Sequence, residues 1–132
     1  MGDDVIAEIG PGLLIFLGVV IGDTKETAER MARKTLSIRI FADETQAMNL
    51  SVVDVAGSLL VVSQFTLAAE TLRGNRPSYS SAMESDEAER LYEHYIDTLR
   101  HETKRVEMGS FGSDMRVALE NDGPVTILLD LE

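Results

Sequence analysis

The segment Ser63-Gln64-Phe65-Thr66 places hydroxyl and amide side chains directly after an apolar run, residues 59–62. Buried hydroxyl and amide groups need hydrogen-bond partners, so these side chains face either water at a strand end or a ligand. Ser63 and Thr66 are possible nucleophiles, but no histidine lies in the same segment to act as a base. The residue types alone modestly favour a solvated strand end over a ligand site.

Two histidines and two arginines are the other residues whose types could do chemistry. His94 and His101 fall on a predicted helix beside no motif, which indicates solvated histidines and not a metal site. Arg73 and Arg76 could meet a phosphate, and a solvated basic loop explains them about equally well. The chain has no cysteine and no glycine-rich phosphate loop, so thiolate, zinc and P-loop chemistry have no support.

The segment Asn121-Asp122-Gly123-Pro124 precedes an apolar run, residues 125–129. Asn, Asp and Gly tolerate positive φ, so the segment predicts a turn before a strand. Pro124 has no N–H to donate to a sheet, although a strand is expected to begin pairing there. An ordinary trans proline remains open on residue types alone, because only about 5–6% of X-Pro bonds in folded proteins are cis.

Length and charge limit the possible classes of protein. A chain of 132 residues predicts a single domain spanning residues 1–132, with enough length for a core. The net charge of −11 argues against DNA and other broad nucleic-acid partners, although it permits contact with one nucleotide or a strand end. The apolar runs are too short to cross a membrane, the first residues are acidic where a signal peptide is basic, and cysteine is absent. We therefore expect a cytoplasmic protein without a membrane partner.

Apolar patterns predict a mixture of helices and strands. The expected strands cover residues 5–9, 13–21, 38–41, 48–52, 58–67, 105–108, 115–119 and 125–129. Two amphipathic helices are expected, one capped by Asp23 and Glu26 and a second capped by Ser85. The apolar stripe expected on the second helix consists of Ala88, Leu91, Tyr92, Tyr95, Ile96 and Leu99. Because most strands fall in hairpin order, we expect an α/β (α+β-like) fold with mixed, largely antiparallel sheets or a partial barrel and two helices.

"SQFTL" followed by "NDGPVT" resembles the paired signature of the D-aminoacyl-tRNA deacylases, also called D-tyrosyl-tRNA deacylases. Further segments are similar to the family in the same order: "EIGPGLLIFLGV", "RIFADETQAMNLSV", "RGNRPSY" and "FGSDM". The resemblance implies the family's own fold and a cytosolic homodimer. It also implies hydrolysis of the ester joining a D-amino acid, or mischarged glycine, to the 3′ adenosine of tRNA, without a metal or cofactor.

The resemblance also implies the site residues. Backbone groups at Ser63, Gln64, Phe65 and Thr66 would frame the ester as the catalytic segment, with help from the adenosine 2′-hydroxyl. The substrate-binding residues implied by the family motifs are Phe111, Met115, Asn121, Gly123 and Pro124. Phe111 and Met115 would line the pocket for the terminal nucleotide. The Gly123–Pro124 bond is expected to be cis, with its carbonyls reaching the other subunit's site where an L side chain would project.

Two departures from the family keep other hypotheses open. We expect the chain to be N-terminally short relative to the family, because the family's first strand, which carries a supporting arginine, has no counterpart before Val5. At the other end, the pair Leu131 and Glu132 resembles a cloning remnant. An idle binding or assembly domain of the same fold is therefore the alternative to an active deacylase. A Ser/Thr hydrolase of small esters is a weaker third hypothesis, because no base is visible.

Overall fold

A computed structural model describes residues 4–131, so Glu132 of the expected remnant lies outside the described residues. Three strands form one sheet: β1 (Gly12–Leu17), β2 (Ser58–Ser63) and β3 (Val106–Met108). The order is β1-β2-β3, and both pairings are parallel. The expectation of largely antiparallel sheets or a partial barrel is therefore wrong. Parallel neighbours require long crossovers, and here each crossover contains a helix.

Several expected strands do not form within the described chain. Residues 5–9, 115–119 and 125–129 have no regular secondary structure, and residues 38–41 and 48–52 share only the bridge between Phe41 and Leu50. A strand needs a neighbour for its backbone N–H and C=O groups, and apart from that bridge these segments have none within the described residues. The expected strand 13–21 ends at Leu17, and the expected strand 58–67 ends at Ser63.

The helices are α1 (Lys25–Ser37) and α2 (Ser85–Glu102), and the N-cap of each lies one residue from the expected cap. Thr24 caps α1, and its hydroxyl accepts the Thr27 N–H at 3.2 Å. Asp23 instead accepts the N–H of Val20, so its carboxylate is used in the preceding turn. The predicted Asp23 and Glu26 capping pair is therefore wrong.

The cap of α2 is also different from the prediction. Glu84 is the N-cap, and its carboxylate accepts the N–H groups of Asp86 and Glu87 at 3.1 and 3.4 Å. Ser85 is the first helical residue rather than the cap. Neither helix of residues 4–131 is long and apolar enough to span a membrane.

The core lies between the two helices and one face of the sheet. Thr35 of α1 and Tyr95 of α2 are both buried, and their hydroxyls are 2.8 Å apart. The buried core cluster consists of Ala32, Leu36, Val52, Leu59, Val61, Tyr92, Tyr95, Ile96, Leu99 and Val106. On β2, the alternate residues Leu59 and Val61 both face this cluster, as the period of a strand requires. Phe16 does not belong to this cluster and is 41% exposed.

A polar loop between α1 and β2 is organised by the carboxylate of Asp43. It accepts a side-chain hydrogen bond from Asn49 and backbone N–H bonds from Gln46 and Thr45, each of the latter at 2.7 Å. These bonds, that of Asn49 first, hold the pKa of Asp43 well below its ordinary value. A carboxyl with a depressed folded pKa stabilises the fold above its unfolded pKa, and the stabilisation is lost as pH falls through the folded pKa.

We expect Asp43→Ala to lower the thermal midpoint at pH 7, and we expect the gap from the native chain to shrink as pH falls below about 4. Thermal unfolding followed by circular dichroism at stepwise pH measures that gap. Glu44→Gln is the matched control, because it removes the same charge from a neighbour that makes no hydrogen bond within residues 4–131. A gap for Asp43→Ala that stays constant with pH would contradict the assignment.

Candidate active site

The carboxyl ends of the three strands meet at one edge of the sheet, because the strands are parallel. β2 ends at Ser63 and leads into the Ser63–Thr66 segment, while β3 ends at Met108 and leads toward Phe111 and Met115. Ligands of open α/β sheets bind in crevices outside this edge. The sheet therefore brings two of the segments singled out in the sequence to the same side of the molecule.

After β2 the chain turns into a short 3₁₀ helix, Phe65–Ala68. The Gln64 N–H donates to the Leu17 carbonyl at 2.8 Å, which holds the turn against the end of β1. Gly18 permits this contact, since a Cβ there would lie 2.9 Å from the Cβ of Leu67.

The first turn of the 3₁₀ helix presents backbone donors. A helix leaves its first N–H groups without an internal acceptor. Within the described chain, the N–H groups of Phe65 and Thr66 meet no acceptor. The Thr66 hydroxyl is instead engaged, because it accepts from the Gln64 side-chain amide at 2.5 Å. The turn therefore offers two main-chain N–H groups to an oxygen atom of a ligand.

Phe65 packs on a tyrosine that the sequence analysis did not single out. The ring of Phe65 is 60% exposed, and its centroid lies 5.1 Å from that of Tyr79 at an interplanar angle of 59°. Tyr79 follows a loop closed by two backbone hydrogen bonds between Glu70 and Ser78. The loop that holds Arg73 and Arg76 is thereby attached beside Phe65. Nothing in the spacing of residues 65 and 79 indicated this contact.

Phe111 and Met115 lie around the turn that follows β3. The Met115 sulfur is 3.1 Å from the point that a Cβ of Gly109 would occupy, and a methyl of Val62 is 3.8 Å from that point. Gly109 therefore leaves the space that Met115 fills. Phe111 packs against Tyr92 with ring centroids 5.6 Å apart.

Tyr92 connects this turn to the centre of the sheet. Its buried hydroxyl donates to the Val61 carbonyl at 3.0 Å and lies 3.4 Å from the Gly109 carbonyl. Burial raises the pKa of Tyr92 to about 12, so the phenol stays protonated and donates at any physiological pH. Tyr92 was expected on the buried stripe of α2, but its link to the site was not.

The third predicted segment shares no hydrogen bond with the other two among the described residues. The Asn121 side chain accepts the Val125 N–H at 3.2 Å and donates to the Thr126 hydroxyl at 2.9 Å. Gly123 has φ of +142°, and the predicted cis Gly123–Pro124 bond is confirmed. Residues 121–124 are exposed, and no hydrogen bond between described residues joins them to the Ser63–Thr66 segment.

Neither histidine forms a hydrogen bond with the described residues at the carboxyl edge of the sheet. His94 lies 2.9 Å from the Glu29 carboxylate, which joins α2 to α1. From residue 4 to residue 131, no group of three or more His, Cys, Asp or Glu is placed to hold a metal ion. The described site thus consists of main-chain donors, an amide, hydroxyls and apolar rings.

The fold and the site segments together define a class, that of the tRNA deacylases. The chain belongs to the D-Tyr-tRNA(Tyr) deacylase family, whose sequence profile matches residues 1–130. A Photorhabdus laumondii protein named D-aminoacyl-tRNA deacylase is 48% identical over 129 residues, 98% of this chain and 89% of the relative. A Yersinia pestis protein of the same name is 48% identical over 128 residues, 97% of this chain and 88% of the relative.

Two solved structures are similar to this fold. One, described as c-Myc DNA Unwinding Element Binding Protein, has a TM-score of 0.89 and 40% identity, covering 96% of this chain and 86% of that chain. The other, described as a probable eukaryotic D-amino acid tRNA deacylase, has a TM-score of 0.72 and 16% identity, covering 85% and 81%. At that identity the second similarity shows the fold alone.

Replacing Tyr92 by Phe tests its role beneath the site. We expect Tyr92→Phe and Tyr95→Phe each to cost about 1 kcal/mol of unfolding free energy, because each loses a buried hydrogen bond. Only Tyr92→Phe should speed amide hydrogen exchange in residues 109–115, which it supports directly. Urea unfolding and exchange mass spectrometry measure the two effects. Equal exchange in the two variants would contradict the proposed support.

Proposed function

We propose that this chain hydrolyses the ester bond of D-aminoacyl-tRNA, releasing free D-amino acid and tRNA. The observation that carries the proposal is the family match over residues 1–130, together with relatives 48% identical that are named D-aminoacyl-tRNA deacylase. The activity makes the chain a hydrolase of translation quality control that proofreads the chirality of charged tRNA. The family match does not favour the alternative of an idle binding domain.

The Ser63–Thr66 segment supplies the catalytic groups in this proposal. Water attacks the ester carbonyl carbon, and the electron pair moves onto the carbonyl oxygen. The N–H groups of Phe65 and Thr66 stabilise that oxygen, since neither meets an acceptor within the described residues. The electron pair then returns to re-form the carbonyl, the bond from carbon to the tRNA 3′ oxygen breaks, and that oxygen leaves with the proton that the attacking water gives up. Ser63 and Gln64 frame the ester, and the adenosine 2′-hydroxyl assists, as the family resemblance implies.

The terminal adenosine binds beside the turn after β3. Phe111 and Met115 offer an aromatic ring and a thioether near the edge where the Ser63–Thr66 segment lies. Bases stack on such side chains without sequence preference, which suits the common 3′ end of all tRNAs. The proposal involves no metal and no cofactor, as the family resemblance implies.

The segment of Asn121, Gly123 and Pro124 excludes L-amino acids from the site of a second subunit. It is exposed in one chain and shares no hydrogen bond with that chain's Ser63–Thr66 segment. Carbonyls placed where an L side chain projects repel L-substrates, while a D side chain points away and glycine has none. Discrimination then rests on a clash and not on a pocket for each side chain.

The second subunit is a copy of the same chain. Val5, Leu128 and Phe16 are 77%, 83% and 41% exposed, and Phe16 lies on a parallel sheet, an element normally covered on both faces. A twofold homodimer covers such surfaces with their own copies. It also supplies strand partners for residues 5–9 and 125–129.

Light scattering at micromolar concentration measures this assembly. We expect a mass of twice 14.5 kDa for the native chain. Leu128→Glu should shift the chain toward 14.5 kDa, because it puts a charge into the apolar contact. Leu72→Glu is the matched control, because Leu72 is a similarly exposed leucine in the loop that holds Arg73 and Arg76. A monomeric native chain would refute the homodimer.

The proposed partners are an aminoacyl-tRNA, whose 3′ end enters the site, and a second subunit. We also propose that residues 1–132 form a single domain that acts in the cytoplasm. Duplex DNA is a poor partner for a chain of net charge −11, because binding to DNA phosphates requires cationic side chains that displace their counterions. The DNA-binding description of one similar structure therefore leads to no second proposed function.

Deacylation of D-Tyr-tRNA and L-Tyr-tRNA, measured side by side, tests the function. We expect the D-ester to be released well above the spontaneous rate and the L-ester to remain. Release of neither ester would support the idle domain and refute the proposal.

A substitution at Gly123 tests the origin of the chirality. A Cβ there would lie 3.1 Å from the Val125 nitrogen at φ of +142°, so Gly123→Ala must displace the segment. We expect the ratio of D- to L-release to fall. Gly22→Ala, which also has a positive φ but open space around it, is the matched control. An unchanged ratio in Gly123→Ala would count against the clash.

Thr66→Ala tests whether the protein supplies a nucleophile. Because water attacks the ester and the backbone N–H groups remain, we expect less than about a tenfold loss of kcat, whereas loss of a true nucleophile costs about 10⁶-fold. Single-turnover kinetics measures the loss. An aminoacyl adduct on Thr66 or Ser63, found by mass spectrometry of quenched reactions, would disprove the direct attack of water.

A further inference from the structure

One face of α1 carries cations that the proposed reaction does not use. Arg30, Arg33, Lys34 and Ser37 are spaced as i, i+3, i+4 and i+7, and all four are exposed. Together with Leu131 they line an open cleft of about 380 Å³. We call Arg30, Arg33, Lys34 and Ser37 the basic face. The opposite side of α1 packs on α2 through buried residues such as Thr35.

The cations of the basic face form no ion pair with the described part of the chain. Arg30, Arg33 and Lys34 make no ion pair or side-chain hydrogen bond with residues 4–131. Glu29, one turn before Arg33, is paired instead with His94 on α2. The sequence from residue 30 to residue 37 contains no acidic residue. The face therefore keeps a local positive charge.

That local charge is unusual in this protein. The chain carries 23 acidic against 12 basic residues, so its overall field repels a polyanion. The basic face concentrates three of those cations within two helical turns. Arginine and lysine at such spacing match backbone phosphates, which they bind without reading sequence.

The position of α1 relates the basic face to the site. The helix follows β1 through residues 18–24, so it starts near the edge where the Ser63–Thr66 segment lies. At about 1.5 Å per residue, Arg30 and Lys34 lie roughly 7 and 14 Å along the helix from Lys25. Arg30 thus lies within about two helical turns of the end of α1 that is nearest the site.

We infer that the basic face binds backbone phosphates of the substrate tRNA upstream of its 3′ end. The inference rests on the proposed function and extends it, because it assigns a second contact to the same RNA. The contact raises affinity for the whole tRNA and leaves the chemical step unchanged.

The test uses the double variant Arg30→Ala/Arg33→Ala of the basic face. The control is the double variant Arg90→Ala/Lys104→Ala, which removes the same charge from exposed positions on and after α2. On D-Tyr-tRNA we expect the first variant to raise KM with kcat unchanged, and on D-tyrosyl-adenosine we expect native kinetics. For the first variant, the slope of log binding constant against log salt concentration should become shallower by about 0.7–0.9 for each phosphate contact that is lost. The control variant should match the native chain in both measurements.

Binding of uncharged tRNA, followed by fluorescence anisotropy, separates this inference from the proposed function. Native affinity and native salt slope in Arg30→Ala/Arg33→Ala would overturn the inference and leave a solvated helix face. Failure of the native chain to deacylate either D-substrate would instead defeat the proposed function. A loss of affinity confined to the basic-face variant would support the phosphate contact in either case.

Discussion

The backbone pairing of β2 with strands on both sides is the constraint on which the rest of this structure depends. Leu59 and Val61 are fully buried, and their carbonyl and N–H groups have no access to water, so both neighbours must supply partners. Gly12 shows how tight the pairing is, because a Cβ there would lie 1.8 Å from the Ser58 carbonyl oxygen. With β2 held in this register, the chain that leaves Ser63 can turn only where Leu17 and Gly18 allow.

The buried tyrosines of α2 extend this constraint to the loops. Tyr92 reaches a carbonyl of the central strand and lies close to that of Gly109, while Tyr95 meets Thr35 of the other helix. A deep phenol has lost its water and must be hydrogen-bonded, so each of these contacts has one satisfactory geometry. The loop after β3, although it lacks regular structure, is therefore attached to the core. The proposed chemistry needs this rigidity, because backbone donors stabilise a developing charge only when they are held in place.

Sequence patterns predicted the two α-helices and the three paired strands, but neither the parallel arrangement nor the absence of the five other expected strands. The apolar run of β2 and the stripe of Tyr92 and Tyr95 on α2 predicted a buried strand and an amphipathic helix, and both are present. A continuous apolar run does not specify the direction of its neighbour, so the parallel sheet could not be read from it. Asp23 and Thr24 are both good caps, and the choice was decided by the N–H of Val20, which only the folded turn brings to Asp23. The site segments were visible through their family resemblance, whereas the contact of Phe65 with Tyr79 joins distant residues and had no local signal.

The exposed apolar side chains of a single chain also bear on how its stability depends on protein concentration. Each Å² of apolar surface left in water forgoes about 25 cal/mol, and Leu128 and Val5 leave most of theirs uncovered. Anything that covers such surface in the folded state alone adds to stability by mass action. If a second copy of the chain covers this surface, thermal stability rises with protein concentration, and chains too dilute to pair are the population most open to proteolysis.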